Sequence, residues 1–156
     1  MKTILLLVGK TTDKHLAAGI SDYAARIAHY MPFEIVTLPE LKNTKSLSEE
    51  QQKAMEGELI MKQLQPSDTV VLMDEHGREF RSIEYARWLE QKRNTARHLV
   101  LIIGGPYGFS PKIYERADEK ISLSKMTFSH QMVRLIITEQ IYRACTIIKG
   151  EPYHHE

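Results

Sequence analysis

Three short stretches gather residues that chemistry uses. They are Asp74-Glu75-His76-Gly77, Gly104-Gly105-Pro106-Tyr107-Gly108 and Ser124-Lys125-Met126-Thr127-Phe128-Ser129. Glycines after a buried strand let a ligand approach the backbone closely; they equally serve a tight turn that needs positive φ. In the third stretch, backbone amides can read a flat heteroaromatic ring while Met126 and Phe128 pack on it. The alternative there is local, a hydrophobic staple and a Ser129 cap for the helix that follows. Other chemistries are excluded by spacing. Gly9-Lys10-Thr11 resembles the end of a phosphate-binding loop, but the glycine required five residues earlier is Ile4. The Gly104 turn is not a dinucleotide fingerprint, because it follows the fourth strand and its spacing is wrong. The seven histidines are scattered, with only His154 and His155 adjacent, and no Cys pair or His-x-x-x-His occurs. No metal site is expected. Cys145 lies in an apolar helix, where a thiol is inert packing, and there is no Gly-x-Ser-x-Gly elbow.

The elements that must position these stretches follow from periodicity. Residues 3–8 form a continuous apolar run closed by Gly9, as expected of a strand buried on both faces. Residues 13–31 switch to helical spacing, and Pro32 stops them. Strands are predicted at 33–38, 69–73, 98–103 and 121–123. Between them lie a helix over 48–64 capped by Ser48, a helix capped by Ser82, and a short helix with Ser110 as cap and Pro111 at its first position. Residues 74–77 are predicted to turn. A last helix runs over 130–149, stopped by Gly150 and Pro152. Alternating strands and helices predict an α/β fold, a mainly parallel sheet with helices on both faces. The three stretches then fall beyond the carboxyl ends of strands, where such sheets bind ligands. The last helix carries more than one apolar stripe, which a small domain rarely covers alone; a homodimer would cover it.

Composition bounds the rest. The chain has 156 residues, 42% hydrophobic and 26% charged, which fits one folded domain over 1–156 and excludes a disordered chain. The lone cysteine suits a reducing compartment. The run Ile4–Val8 is too short to span a bilayer or form a signal core. A cytoplasmic protein without a membrane partner is expected. Residues 1–76 carry 8 basic against 11 acidic groups and residues 77–156 carry 13 against 9, an asymmetry that hints at a polyanion-facing side.

A further pattern emerges when the motifs are taken in order. Leu101-Ile102-Ile103-Gly104-Gly105-Pro106-Tyr107-Gly108, Leu123-Ser124-Lys125-Met126-Thr127-Phe128-Ser129-His130, Arg134, Glu139-Gln140-x-Tyr142-Arg143-Ala144 and Pro152-Tyr153-His154 succeed one another at tight spacing. Leu7-Val8-Gly9-Lys10 and Met31-Pro32-Phe33-Glu34 add to them. Together they resemble the RlmH family, bacterial 23S ribosomal RNA pseudouridine N3-methyltransferases of the SPOUT class, over essentially the whole chain. That resemblance implies a C-terminal deep trefoil knot, which periodicity does not predict and which is rare among folds. It implies a homodimer packed through C-terminal helices, acting on ribosomal RNA in the ribosome or its large subunit. It implies S-adenosylmethionine as cofactor, touching Met73, Gly104, Gly105, Leu123, Ser124, Lys125, Met126, Thr127 and Phe128. The family more often has Leu where this chain has Met73; the packing role survives that change.

The resemblance also places substrate contacts in the tail. Pseudouridine N3 is an imide nitrogen, a poor nucleophile until deprotonated and aligned with the methyl donor. Tyr153 and His154 are the candidates for assisting deprotonation or orienting the base, His154 either as proton acceptor or only as a hydrogen-bonding group. Lys125, Arg134, His155 and Arg78 are the expected RNA contacts, with Arg81 and Lys112 as further ones. Arg134 can instead neutralise the cofactor carboxylate or pair with Glu139, and a structural role is expected for Arg143. His155 stands where the family often has Arg or Lys. A non-catalytic RNA- or ribosome-binding module of the same fold and a small-molecule methyltransferase are the competing readings.

Overall fold

The apolar runs become the centre of a five-stranded parallel sheet. In the computed structural model, which describes residues 1–155, the strands are β1 (Lys2–Val8), β2 (Phe33–Leu38), β3 (Thr69–Glu79), β4 (His98–Ile103) and β5 (Glu119–Ser122). Their order across the sheet is β2-β1-β4-β3-β5, every neighbour parallel. Parallel pairing needs crossovers, and the first four of five helices supply them while the fifth follows the last strand. These are α1 (Lys14–Ile27), α2 (Glu49–Gln63), α3 (Ser82–Thr95), α4 (Pro111–Arg116) and α5 (Met132–Lys149).

Alternation along each strand divides the core into two layers. Leu5, Leu7, Val71, Leu99, Leu101 and Ile103 pack with Ile27 of α1, Trp88 and Leu89 of α3, and Ile137, Ile141 and Cys145 of α5. Leu6, Val8, Val70, Leu72, Val100 and Ile102 face the other way, onto Ile60 of α2 and Ile113 of α4. Leu5, Leu6 and Leu7 are all at most 2% exposed, and burial of each contributes about 1.5–3 kcal/mol. The unbroken hydrophobic runs, with no polar alternation, are what covering both faces demands.

Local signals set the helix ends. The Asp13 carboxylate accepts from the amides of His15 and Leu16 at 2.9 and 3.0 Å. Ser48 and Gln51 form a reciprocal capping box. Gly150 closes α5 at φ 73°, in the left-handed region that favours glycine.

Four details differ from the sequence expectation. The first helix ends at Ile27, not at residue 31: beyond it the amides of His29 and Tyr30 bond three residues back, to the carbonyls of Arg26 and Ile27, so the chain leaves the helix through tighter turns before Pro32. Ser82 is the first residue of α3 and not its cap; its hydroxyl donates to Gln140 Oε1 of α5 at 2.9 Å. Ser110 precedes α4 as expected, but its hydroxyl makes no capping bond and is buried beside Gly57. Residues 74–77 do not turn: β3 continues through them to Glu79, with a register shift against β5 between Met73 and Arg78. Gly77 permits this. A Cβ there would lie 2.6 Å from the backbone of Lys120 and Ile121, so only glycine lets β3 run this close to β5.

Candidate active site

The carboxyl ends of β4 and β5 and the middle of β3, where its pairing with β4 stops, open into one cleft of about 600 Å³. It is lined by residues 73–76, 103–109, 121–124 and 126–130, with Tyr114 and Val133. All three stretches singled out for chemistry therefore meet at one place. Of the expected cofactor contacts, Met73, Gly104, Gly105, Leu123, Ser124, Met126, Thr127 and Phe128 line it. Lys125 is exposed and is not among the lining residues.

Each wall has a local cause. Gly104 lies against the ring of Phe109, where a Cβ would come within 2.9 Å, and Gly105 lies against the Glu56 carboxylate, where a Cβ would come within 2.6 Å. Neither has positive φ, so close packing is what makes these positions glycine. Gly108 does have it, at φ 83°. Burial pushes the Glu56 carboxyl above its ordinary range, a hydrogen bond from Gln52 opposing. In the third wall Ser122 Oγ donates to the Ser124 carbonyl at 3.0 Å, and Ser124 Oγ accepts from the Met126 amide at 3.0 Å. These serines shape the loop, while Met126 stands 77% exposed beside the opening. Ser129 Oγ accepts from the Met132 amide at 3.1 Å, so the stretch also caps α5.

Asp74 projects at the cleft from within β3, just past the part of the strand that pairs with β4. Its Oδ1 accepts from the His76 amide at 2.8 Å, and its Oδ2 accepts from the Tyr114 hydroxyl. Burial and that hydrogen bond hold the Tyr114 phenol well above its usual pKa, so it remains a donor. Among the lining residues Asp74 and Glu75 are the carboxylates, and no Lys or Arg lines the cleft.

The tail lies elsewhere. Tyr153 and His154 do not line the cleft but fold onto α5 of their own chain. Arg143 donates to Glu139 Oε1 from Nε and Nη2 at 3.0 and 2.6 Å, and its guanidinium sits 4.8 Å from the centre of the Tyr153 ring. Tyr153 donates to the same Glu139 oxygen at 3.1 Å. Burial, then hydrogen bonding to Tyr23 and Glu139, raises the Tyr153 pKa well above its usual value. It remains a phenol at neutral pH. Arg143 Nη1 lies 3.1 Å from His154 Nδ1. A guanidinium can only donate, so Nδ1 accepts and the ring hydrogen of neutral His154 is on Nε2. That Nε2 is buried with no partner among the described residues. In this arrangement the free edge of His154 is a hydrogen-bond donor, not a proton acceptor.

Comparison with known proteins identifies the lineage. The family model described as "Predicted SPOUT methyltransferase" matches residues 1–154. The chain belongs to the SPOUT methyltransferase family. Relatives named ribosomal RNA large subunit methyltransferase H match over full length. Those of Phocaeicola vulgatus and Bacteroides fragilis are each 62% identical, covering 100% of both chains. That of Porphyromonas gingivalis is 52% identical over the same coverage. The RlmH resemblance read from the motifs is thereby borne out. A solved structure titled "The structure of a probable methylase family protein from Haemophilus influenzae Rd KW20" shares the fold, with a TM-score of 0.54 at 11% identity, covering 99% of this chain and 70% of that one.

For this SPOUT methyltransferase, Arg134 is a correction. Expected as an RNA contact, it is 1% exposed. Nη1 donates to the Gly9 carbonyl and to Thr11 Oγ1, both at 2.9 Å, and Nη2 donates to the Val8 carbonyl at 2.8 Å. It ties α5 to the end of β1 and has no path to a phosphate. Burial lowers its pKa, Glu40 opposing. Nor does it pair with Glu139, which Arg143 and Tyr153 occupy. Arg143 has the structural role expected of it. Arg78, Lys125, His155, Arg81 and Lys112 are exposed; Arg78 lies over the Phe80 ring at 4.4 Å. Sequence reasoning placed Asp74 in a chemical stretch but gave it no role, and it passed over Tyr114. Tyr114 carried no signal, because only the fold brings α4 to β3. Cys145 is buried and its thiol pushed up to about 11, which suits inert packing. Among the described residues no group of three or more His, Cys, Asp or Glu could hold a metal ion, and no helix is long and apolar enough to cross a membrane.

Proposed function

We propose that this protein methylates N3 of a pseudouridine in 23S ribosomal RNA, in the cytoplasm, with S-adenosylmethionine as donor, as a homodimer of a single knotted domain over residues 1–156. The observation that carries the reading is the convergence of the three chemical stretches on one cleft of a size to take a nucleoside-bearing cofactor. The relatives named for ribosomal RNA supply the substrate class, and family membership supplies the knot.

The residues present fit the cofactor. Met73, Leu123, Met126 and Phe128 give apolar walls for an adenine ring, Gly104 and Gly105 present bare backbone, and Ser124 and Thr127 add hydroxyls. When bound, S-adenosylmethionine supplies an electrophilic methyl on a positively charged sulfur. The chain's own residues then have to deliver N3 as its anion. His154 Nε2–H is a donor with no partner among the described residues, whereas the single Tyr153 O–H is already given to Glu139, so Tyr153 orients and does not donate. A donor placed on a carbonyl flanking N3 stabilises the imide anion and lets the proton leave to water. Neither group need act as a base. Arg143 and Glu139 hold both in place.

Two observations support the homodimer. Met132, Val133, Leu135, Ile136, Tyr142, Ile147 and Ile148 of α5 are all incompletely buried within one chain. The tail and the cleft also occupy different places in that chain, so a second copy is what brings a tail to a cleft. Exposed Arg78, Lys125, Lys112 and His155 are the RNA contacts in this reading.

The test is transfer of radiolabelled methyl to large ribosomal subunits from cells lacking this gene, followed by nucleoside mass spectrometry. Label in N3-methylpseudouridine supports the proposal. Label in another nucleoside, or in small molecules without ribosomes, refutes it.

A further inference from the structure

We propose that Asp74 makes the cleft selective for charge, so that it holds the cationic methyl donor in preference to the demethylated product; this rests on the S-adenosylmethionine reading above. Four observations bear on it. The formal charges lining the cleft are carboxylates, in a chain whose net charge is +1. Glu75 contributes little, because its side chain is 72% exposed and lies 3.3 Å from His76, where solvent screens it. Asp74 is half-buried, where a charge acts more strongly. It is also fixed: Tyr114, which donates to it, packs edge-on against buried Phe109 at 5.9 Å, and Phe109 backs Gly104 on the opposite wall. Each oxygen of Asp74 accepts one hydrogen bond from the chain and keeps a lone pair for a ligand. Lys120 sits 5.7 Å from the centre of the Tyr114 ring, but it does not line the cleft.

The sign of the effect follows from the reaction. Transfer breaks the S–CH3 bond and forms the N3–CH3 bond. The anionic N3 supplies the electron pair, and sulfur keeps the pair of the broken bond and becomes neutral. A fixed carboxylate attracts the sulfonium before transfer and loses that attraction afterwards. It favours donor binding and product release. It does not stabilise the transition state over the bound donor, because positive charge is draining from sulfur there. Asp74 is therefore a specificity residue of the cofactor site.

The experiment is calorimetry on the full chain with three ligands: S-adenosylmethionine, S-adenosylhomocysteine, and sinefungin, whose ammonium stands where the sulfonium does. In Asp74→Asn, affinity for the two cationic ligands falls roughly threefold to tenfold while that for S-adenosylhomocysteine is unchanged. In steady state KM for the donor rises and kcat does not fall. Equal loss for all three ligands, or no loss, overturns the proposal. Rising sodium chloride on the unmodified chain gives a second arm that needs no variant. Donor affinity weakens with salt more than product affinity, and parallel salt dependence overturns the proposal. If none of the three ligands binds the unmodified chain, the cofactor reading itself fails, a result distinct from equal binding.

Discussion

Removing the Arg134 guanidinium separates a structural role from an RNA-binding one. Three charge-assisted hydrogen bonds, at 2.8 to 2.9 Å, end on the Val8 and Gly9 carbonyls and on Thr11 Oγ1. Each bond of this kind contributes about 1.5–3 kcal/mol, and a buried carbonyl left without a donor costs about 1–3 kcal/mol. These do not add, because one desolvation penalty for the guanidinium is already included. Arg134→Met keeps much of the packing volume and loses the bonds, for an expected cost of about 2–4 kcal/mol. Arg134→Ala adds a cavity and reaches about 3–5 kcal/mol. In a chain of this size each kcal/mol moves Tm by about 2–4 °C, so Arg134→Met should melt roughly 5–15 °C below the parent. The assay is thermal and urea unfolding at one fixed protein concentration, paired with binding to ribosomal subunits at two salt concentrations. A structural Arg134 gives a large stability loss and an unchanged salt slope for RNA binding. A variant that melts with the parent but binds RNA with a shallower salt slope refutes the reasoning and restores Arg134 to the RNA face.

Three more outcomes follow from the geometry. Gly77→Ala places a Cβ 2.6 Å from backbone that cannot rotate away, so it should cost about 2–4 kcal/mol and abolish donor binding by prying β3 from β5, which calorimetry and melting together check. If His154 acts as a donor, His154→Gln retains methyl transfer within a few-fold of the parent while His154→Ala loses at least about tenfold; a glutamine variant as inactive as alanine counts against the donor role. Tyr30, which donates to Glu151 at 2.7 Å, has its pKa pushed up to about 12 by that bond first and by burial second. Its protonated form is favoured by folding, so the stability it adds is complete below about pH 10, the unfolded value, and is lost as pH rises from there to about 12. Tyr30→Phe should flatten the alkaline fall in stability across that window, and an unchanged profile would contradict it.

Sequence alone determined the layered sheet and the apolar runs at its centre. The runs at 3–8, 69–73 and 98–103 have no polar alternation, and only a strand covered on both faces tolerates that, so a parallel sheet with helices on each side was forced before any contact was known. Two of the three chemical stretches, 74–77 and 104–108, were legible for the same reason: each follows such a run, and in a parallel sheet those positions fall on one edge. What sequence could not supply was anything requiring two distant segments to meet. The polarity of residues 74–77 reads as a turn, yet they continue as strand because β5, more than forty residues later, lies against Gly77 and pairs with Arg78 and Glu79. Arg134 reads as a surface cation, since nothing within α5 reveals that the open carbonyls of Val8 and Gly9 await it. His154 reads as a base until Arg143, one face of α5 away, fixes its hydrogen on Nε2. Periodicity records which face of an element is buried; which partner a charged or titrating group finds there is settled by long-range contacts that no local pattern encodes.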